Sequence, residues 1–323
     1  MLCRWAAILL VPVSLLAADP LLALPTMPRP APVAETVALT GEELAPGLRM
    51  ARGQRVEIQG TILLDRGPVD GLEVFACLQG GKTHEAMIQV SLAQGALVKA
   101  AVIAAFGWSD GRPAREGSGF PTQGTPVRLR VAWTDPAGQE QVIDASSLVR
   151  DRITDQAYPA LAWVWIGSRF ETIRQSGADG VVMTRDQFML EVTRSLIVNY
   201  DEPDALIGSP FPGAGVDQRF EVNSRICPPA KTPVRLLIEP AVLPLTLDRL
   251  ADGRLAQDGR ALNDEELRQL LVAAYGPQTV LRSVGVRSHA DLTAQHDAAA
   301  RDYLLAQAAL ANVWAIPIFL DPR

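Results

Sequence analysis

From position 56 onward, apolar residues recur at every second position in short runs, with Gly and Pro standing between the runs. Val56, Ile58, Ile62 and Leu64 alternate with Glu57, Gln59, Thr61 and Leu63 across Gly60. A period of two sends one set of side chains to one face of a strand and the other set to the opposite face, so the pattern predicts sheet. Asp65-Arg66-Gly67-Pro68 supplies a turn. Further strands are predicted over residues 72–78, 86–90, 127–133, 141–145 and 161–167, the fourth placed to pair with the third. Residues 96–106 are Ala-rich with helical spacing and end at Gly107, which predicts one short helix. The middle of the chain therefore reads as mostly β, with one or two short helices.

Pro240 and Pro244 mark a boundary, and the pattern changes beyond them. A strand over residues 245–248 leads into Asp252-Gly253 and Asp258-Gly259, two turn signals around a brief strand. Asn263 is placed to cap a helix whose first turn holds Asp264, Glu265 and Glu266, carboxylates that suit the positive helix end. Leu267, Leu270 and Leu271 give that helix an apolar stripe. A strand over 280–286, a second amphipathic helix over 298–311 and a last strand over 314–319 complete a ββαβαβ order. The expected class is α+β: a mostly-β middle domain over residues 45–240, then a small ββαβαβ domain over 241–323.

The start of the chain predicts export. Arg4 precedes an apolar run over residues 5–16, and small Ala17 and Ala18 precede Asp19-Pro20, the order of a secretory signal peptide. The alternative is an uncleaved anchor over residues 5–24, long enough to cross a bilayer. In that case Asp19 costs roughly 3 kcal/mol if central, and Pro12 and Pro20 interrupt the helix. Residues 1–24 are thus a signal peptide or a membrane tether, and either places the remainder outside the cytoplasm. Residues 25–44 begin with prolines at nearly every second position, which favour extended backbone and predict a semi-rigid linker. A net charge of −6 with the arginines scattered singly gives no basic patch for nucleic acid.

Two resemblances add to this reading. The stretch Glu73-Val74-Phe75-Ala76-Cys77 running into Gly81-Lys82-Thr83-His84-Glu85 resembles the YdjY domain family, where a strand enters a G-K-x-H-E turn followed by a short Ala-rich helix. Trp163-Val164-Trp165-Ile166-Gly167-Ser168 is similar to its W-V-F-x-G-S strand, and Val198-Asn199-Tyr200-Asp201 to its V-N-F-x-D segment. Together these cover about residues 45–240. The resemblance implies an uncharacterised envelope family and no defined chemistry; the ferredoxin-like label some members carry has no cysteine cluster to support it here. Residues 241–323 resemble the periplasmic domain of ExbD/TolR proteins in the order of their elements. The proton-linked transmembrane helix of that family does not directly precede them, so the resemblance implies an interaction role without motor coupling.

Lys82, His84 and Glu85 are the candidate catalytic residues. A His beside a Glu makes an acid–base pair or two metal ligands, with Lys82 holding an anion. A metal at His84 needs at least one further His or carboxylate, because H-E-x-x-H is absent: position 88 is Ile. A catalytic site there requires distant carboxylates, for example Asp201 or Glu202, to converge on the turn, with Cys77 a further candidate. The structural alternative is a turn-closing network in which His84 bonds backbone and Glu85 caps or pairs with an Arg. Cys77 and Cys227 are either a disulfide or two separate buried thiols. His289, His296, Asp291 and Asp297 read as a solvated loop, with a metal site the sharper alternative. No cofactor is expected. The favoured expectation is a non-catalytic module that contacts an unknown envelope protein or ligand; the alternative is a hydrolase or metal-dependent enzyme.

Overall fold

The computed structural model describes residues 33–34, 41–113, 122–153, 155–158, 163–176, 182–210, 218–241, 245–250, 252–275, 282–288, 303–304, 306–307 and 315–320. Strands β1 (Val33–Ala34), β2 (Glu42–Ala45), β3 (Leu48–Ala51), β4 (Arg55–Ile62), β5 (Val74–Cys77) and β6 (Ala86–Val90) precede helix α1 (Gly95–Phe106). Then come β7 (Thr125–Thr134), β8 (Glu140–Asp144), β9 (Val149–Asp151), β10 (Gln156–Ala157), β11 (Trp163–Trp165), β12 (Phe170–Ser176) and β13 (Val182–Phe188). A short helix α2 (Leu190–Thr193) leads to β14 (Ser195–Val198), β15 (Ile207–Gly208), β16 (Phe220–Val222) and β17 (Pro233–Pro240). The chain is α+β and dominated by strands.

The main sheet closes on itself. Strand β4 pairs with β6, β6 with β5, β5 with β14, β14 with β15, β15 with β11 and β11 with β7. Strand β17 then lies antiparallel between β7 and β4 and completes the ring. The alternation expected for β4 decides which residues face in. Val56, Ile58 and Ile62 join the core with Val127, Leu129 and Val131 of β7 and Val234, Leu236 and Ile238 of β17. Strands β5, β14 and β11 are buried along their whole length. Their opposite face meets a second apolar cluster containing Val74, Cys77, Val164, Ile166 and Val198. Such doubly covered strands lose the alternating signature, which is why their sequences read as continuous apolar runs.

Helix α1 follows the expected bounds, and Gly107 ends it in the left-handed conformation at φ 68°. Its buried residues Val98, Ala101, Val102 and Ala105 join the barrel core. Gln94 offers no side-chain cap, and Glu191 of α2 instead accepts the Ala96 N–H at 3.0 Å. The helices meet closely at Gly95, where a Cβ would lie 2.2 Å from the Leu190 side chain. Within the stretch expected as a linker, the described residues other than Gly41 belong to sheet: β1 pairs with β8, and β2 with β3. The prolines stop at Pro32, so the backbone beyond it has the N–H groups that pairing needs.

Beyond β17, strands β18 (Thr246–Arg249), β19 (Leu255–Gln257) and β20 (Arg260–Ala261) precede α3 (Asp264–Tyr275), and β21 (Arg282–Ser288) and β22 (Ala315–Leu320) follow it. The sheet order is β20-β19-β18-β21-β22, with β18, β21 and β22 parallel. Asn263 caps α3 as expected: its Oδ1 accepts the Glu266 N–H at 2.9 Å, and Glu266 Oε2 accepts the Asn263 N–H at 3.0 Å. Of the helix expected over 298–311, the described residues Tyr303, Leu304, Ala306 and Gln307 are helical. Tyr303 donates to Asp264 at 2.6 Å and Arg268 to Gln307 at 2.9 Å, so this turn packs on α3. The rest of that helix, His289, His296, Asp291 and Asp297, and residues 1–32 lie outside the described residues.

Candidate functional site

The Gly80–Glu85 stretch turns between β5 and β6. Gly81 N–H donates to Leu78 O, Thr83 N–H to Gly81 O and Glu85 N–H to Lys82 O, a chain of local bonds that shapes the turn. Lys82 is the hinge of its charges. Its Nζ lies 3.1 Å from Glu85 Oε1 and 3.7 Å from Glu202 Oε2. Burial pulls the Lys82 ammonium down, but the carboxylates of Glu202, Glu85 and Glu73 together outweigh it and hold it above its usual value. The Glu202 carboxylate arrives from the loop after β14, which the buried Asn199 fastens to β5. Its N–H bonds Glu73 O at 2.8 Å, and its Nδ2 bonds Leu72 O at 3.2 Å.

One of the two distant carboxylates thus converges on the turn. The His84 side chain is 81 % exposed and its Nε2 lies 3.8 Å from Glu85 Oε2, beside the carboxylate of the acid–base alternative rather than on the backbone group of the structural one. Glu85 pairs with Lys82, where the structural alternative had it capping the turn or pairing with an arginine. The reason is local. His84 sits at the outer corner of the turn and Lys82 on the side facing the Glu202 loop, so the ammonium collects the carboxylates and the imidazole meets solvent. Among the described residues no three His, Cys, Asp or Glu side chains gather as a metal site would require.

Cys77 and Cys227 are both free. Burial pushes the Cys77 thiol up to about 11, so it stays protonated and unreactive at neutral pH. Cys227 donates weakly to Leu64 O at 3.9 Å. Burial, with the nearby Asp65 charge, pushes its thiol up to about 12.

Asp201 stands apart from the ion pairs of its loop. Burial alone pushes its carboxyl up to about 6 from the ordinary 3.8. Because the folded value lies above the unfolded one, the folded protein holds the proton more tightly. The contribution of this one group to stability is therefore greatest below about pH 4 and falls as pH rises through about 6. The shift corresponds to ~3 kcal/mol in a site without solvent and about 1–2 kcal/mol after screening. Asp201→Asn is expected to raise stability by that smaller amount at pH 7 and leave it unchanged at pH 3.5, as read by urea unfolding at the two pH values. Equal stability of the two proteins at pH 7 would show that the carboxylate is solvated or paired.

A concavity of about 550 Å³ lies on the outer face of the barrel, across β6, β4, β17, β7 and β8. Gln59 and Thr61 of β4, Gln89 of β6, Thr134 of β7, and Gln79 and Ser91 beside them line it. These are the outward members of the alternation that buries Ile58, Ile62, Ile88 and Trp133. None of the six side chains makes a hydrogen bond within the described protein. Arg235 and Glu140, which also line the groove, pair with each other, and Arg235 Nη1 reaches Glu57 Oε2 at 3.0 Å. Sequence reasoning missed this site because each residue looks like an ordinary solvent-facing strand position. Gln59 and Gln89, polar residues inside otherwise apolar strands, are its one local trace.

No protein-family model, curated protein or solved structure matches the chain. The likenesses to YdjY and ExbD/TolR proteins rest on the residues quoted for them.

Proposed function

We propose that the chain is an exported cell-envelope protein of the YdjY-like type whose unit over about residues 45–240 is a non-catalytic binding module. On this reading residues 241–323 form a separate ExbD/TolR-like interaction unit, and residues 1–24 direct export or tether the protein to the membrane. The observation that carries the reading is the contrast between the two sites. At the turn, Lys82, Glu85 and Glu202 spend their charges on one another. In the groove, three carboxamides and three hydroxyls have no side-chain hydrogen-bond partner among the described residues. Polar groups spent on one another hold a fold together, while unspent ones on a concave surface suit a ligand.

One observation favours a second reading, a hydrolase at the Lys82/His84/Glu85 turn. Asp201, on the loop that delivers Glu202, titrates in the range of a general acid. Titration of ¹⁵N-labelled protein with a soluble envelope extract separates the two. The binding reading expects amide shifts at Gln59, Thr61, Gln89 and Ser91 with no new small-molecule signal over time. Shifts confined to Lys82, Glu85 and Glu202, with a product accumulating, would replace it by the enzyme. Osmotic-shock fractionation of cells making the full chain tests export, and recovery in the cytoplasm would refute it.

A further inference from the structure

We propose that the outer-face groove binds a neutral saccharide. The inference rests on the binding reading and narrows it to one ligand chemistry.

Backbone recognition is closed off first. Strand β4 is paired with β17 on one side and with β3 and β6 on the other, and β7 lies between β17 and β8. At the groove itself Gln59 N–H donates to Gly47 O, and Ser91 N–H donates to Gln59 O, both at 2.8 Å. A peptide cannot add as a further strand where the ladder is already complete, so only side chains remain to grip a ligand.

Those side chains share one character. A carboxamide presents donors and an acceptor together, and a hydroxyl presents both on one atom. Gln59, Gln79, Gln89, Thr61, Ser91 and Thr134 therefore form a surface of neutral, two-way hydrogen-bonding groups. A sugar ring presents the same thing in return, vicinal hydroxyls that each donate and accept. An ion would find no match. The Arg235 guanidinium is held between Glu140 and Glu57, and Arg55 Nε lies 4.0 Å from Glu57 Oε2, so two cations face two carboxylates and neither sign of charge is left over to attract one. Gly60 and Ala132 also line the groove and add little bulk. Its volume falls within the ~300–1,000 Å³ of small-molecule sites.

The test uses two neutral trisaccharides, maltotriose and N,N′,N″-triacetylchitotriose, with trialanine as the uncharged peptide control. Calorimetry follows affinity, and the side-chain NH₂ resonances of Gln59 and Gln89 follow location. At least one trisaccharide is expected to bind saturably and shift both resonances. Gln59→Ala and Gln89→Ala are each expected to weaken it about 5–10-fold, the loss of one or two net hydrogen bonds. Both positions are on the surface, and circular dichroism verifies that the variants fold. His84→Ala, outside the groove, is expected to leave the affinity unchanged. If trialanine shifts the groove and neither sugar does, the saccharide assignment fails while the binding reading stands. If none of the three does, the saccharide assignment also fails; silence of the groove toward the envelope extract would then remove the binding reading as well.

Discussion

Asp151→Ala is expected to cost about 3–5 kcal/mol of folding stability, and Arg219→Ala a similar amount. Strands β9 and β16 pair with Asp151 opposite Phe220, which brings the neighbouring Arg219 side chain onto the carboxylate. Arg219 Nε and Nη2 lie 2.9 and 2.7 Å from Asp151 Oδ2, and Asp151 Oδ1 accepts the Ile153 N–H at 2.8 Å. The two side chains are only 3 % and 6 % exposed. Removing either leaves the other's charge out of reach of water and without its ion-pair partner, and that penalty exceeds what the intact pair contributes. Two comparisons expose the mechanism. The double variant Asp151→Leu/Arg219→Met is expected to recover most of the single-variant loss, because it buries no charge. Exposed pairs such as Arg66–Asp65 are expected to contribute less than about 1 kcal/mol when broken. Urea unfolding of the two singles and the double reads all of this. Single losses below about 1 kcal/mol would mean that solvent enters the pair.

How much of this was legible beforehand depends on how local the cause is. Strand β4, the β7–β8 pair and α1 announce themselves, because alternation, a short connection and a terminal Gly107 all lie within a few residues of the element they define. Asn263 and the acidic turn behind it marked the start of α3 for the same reason. Strand β17 was not picked out, although Val234, Leu236 and Ile238 alternate, since Pro233 and Pro240 at its ends look like breakers. Prolines are tolerated there because they stand where the pairing begins and ends. The ribbon of β12 and β13 also escaped, its residues being mostly polar. The site divides in the same way. The Gly81–Glu85 turn is contiguous and readable, and the need for a distant carboxylate was foreseeable. That Glu202 meets it depends on Asn199 bonding Leu72 and Glu73, a contact no spacing predicts. The groove lies further still from view, because Gln59, Gln89 and Thr134 become neighbours only when the ring closes.

That closure fixes the last expectation: truncation after residue 241 leaves the barrel folded, and truncation after residue 232 abolishes it. Among the described strands β17 is the one that pairs with both β4 and β7, and its register is continuous from Pro233 to Pro240. Leu236, Leu237 and Ile238 are fully buried, and burial of such side chains stabilises by about 1.5–3 kcal/mol each. Their loss alone amounts to about 5–9 kcal/mol, comparable with the whole stability of an ordinary domain. It also leaves two bare strand edges beside an open core, the condition under which sheets associate with one another. The shorter chain is therefore expected to aggregate or to lack a cooperative transition. Among the described residues none beyond 241 joins the ring of pairing, so the longer truncation is expected to keep a cooperative thermal transition and the near-ultraviolet signal of Trp163 and Trp165. If it loses them, residues 45–240 do not form a unit of their own, and the two-unit organisation proposed for the chain fails with it.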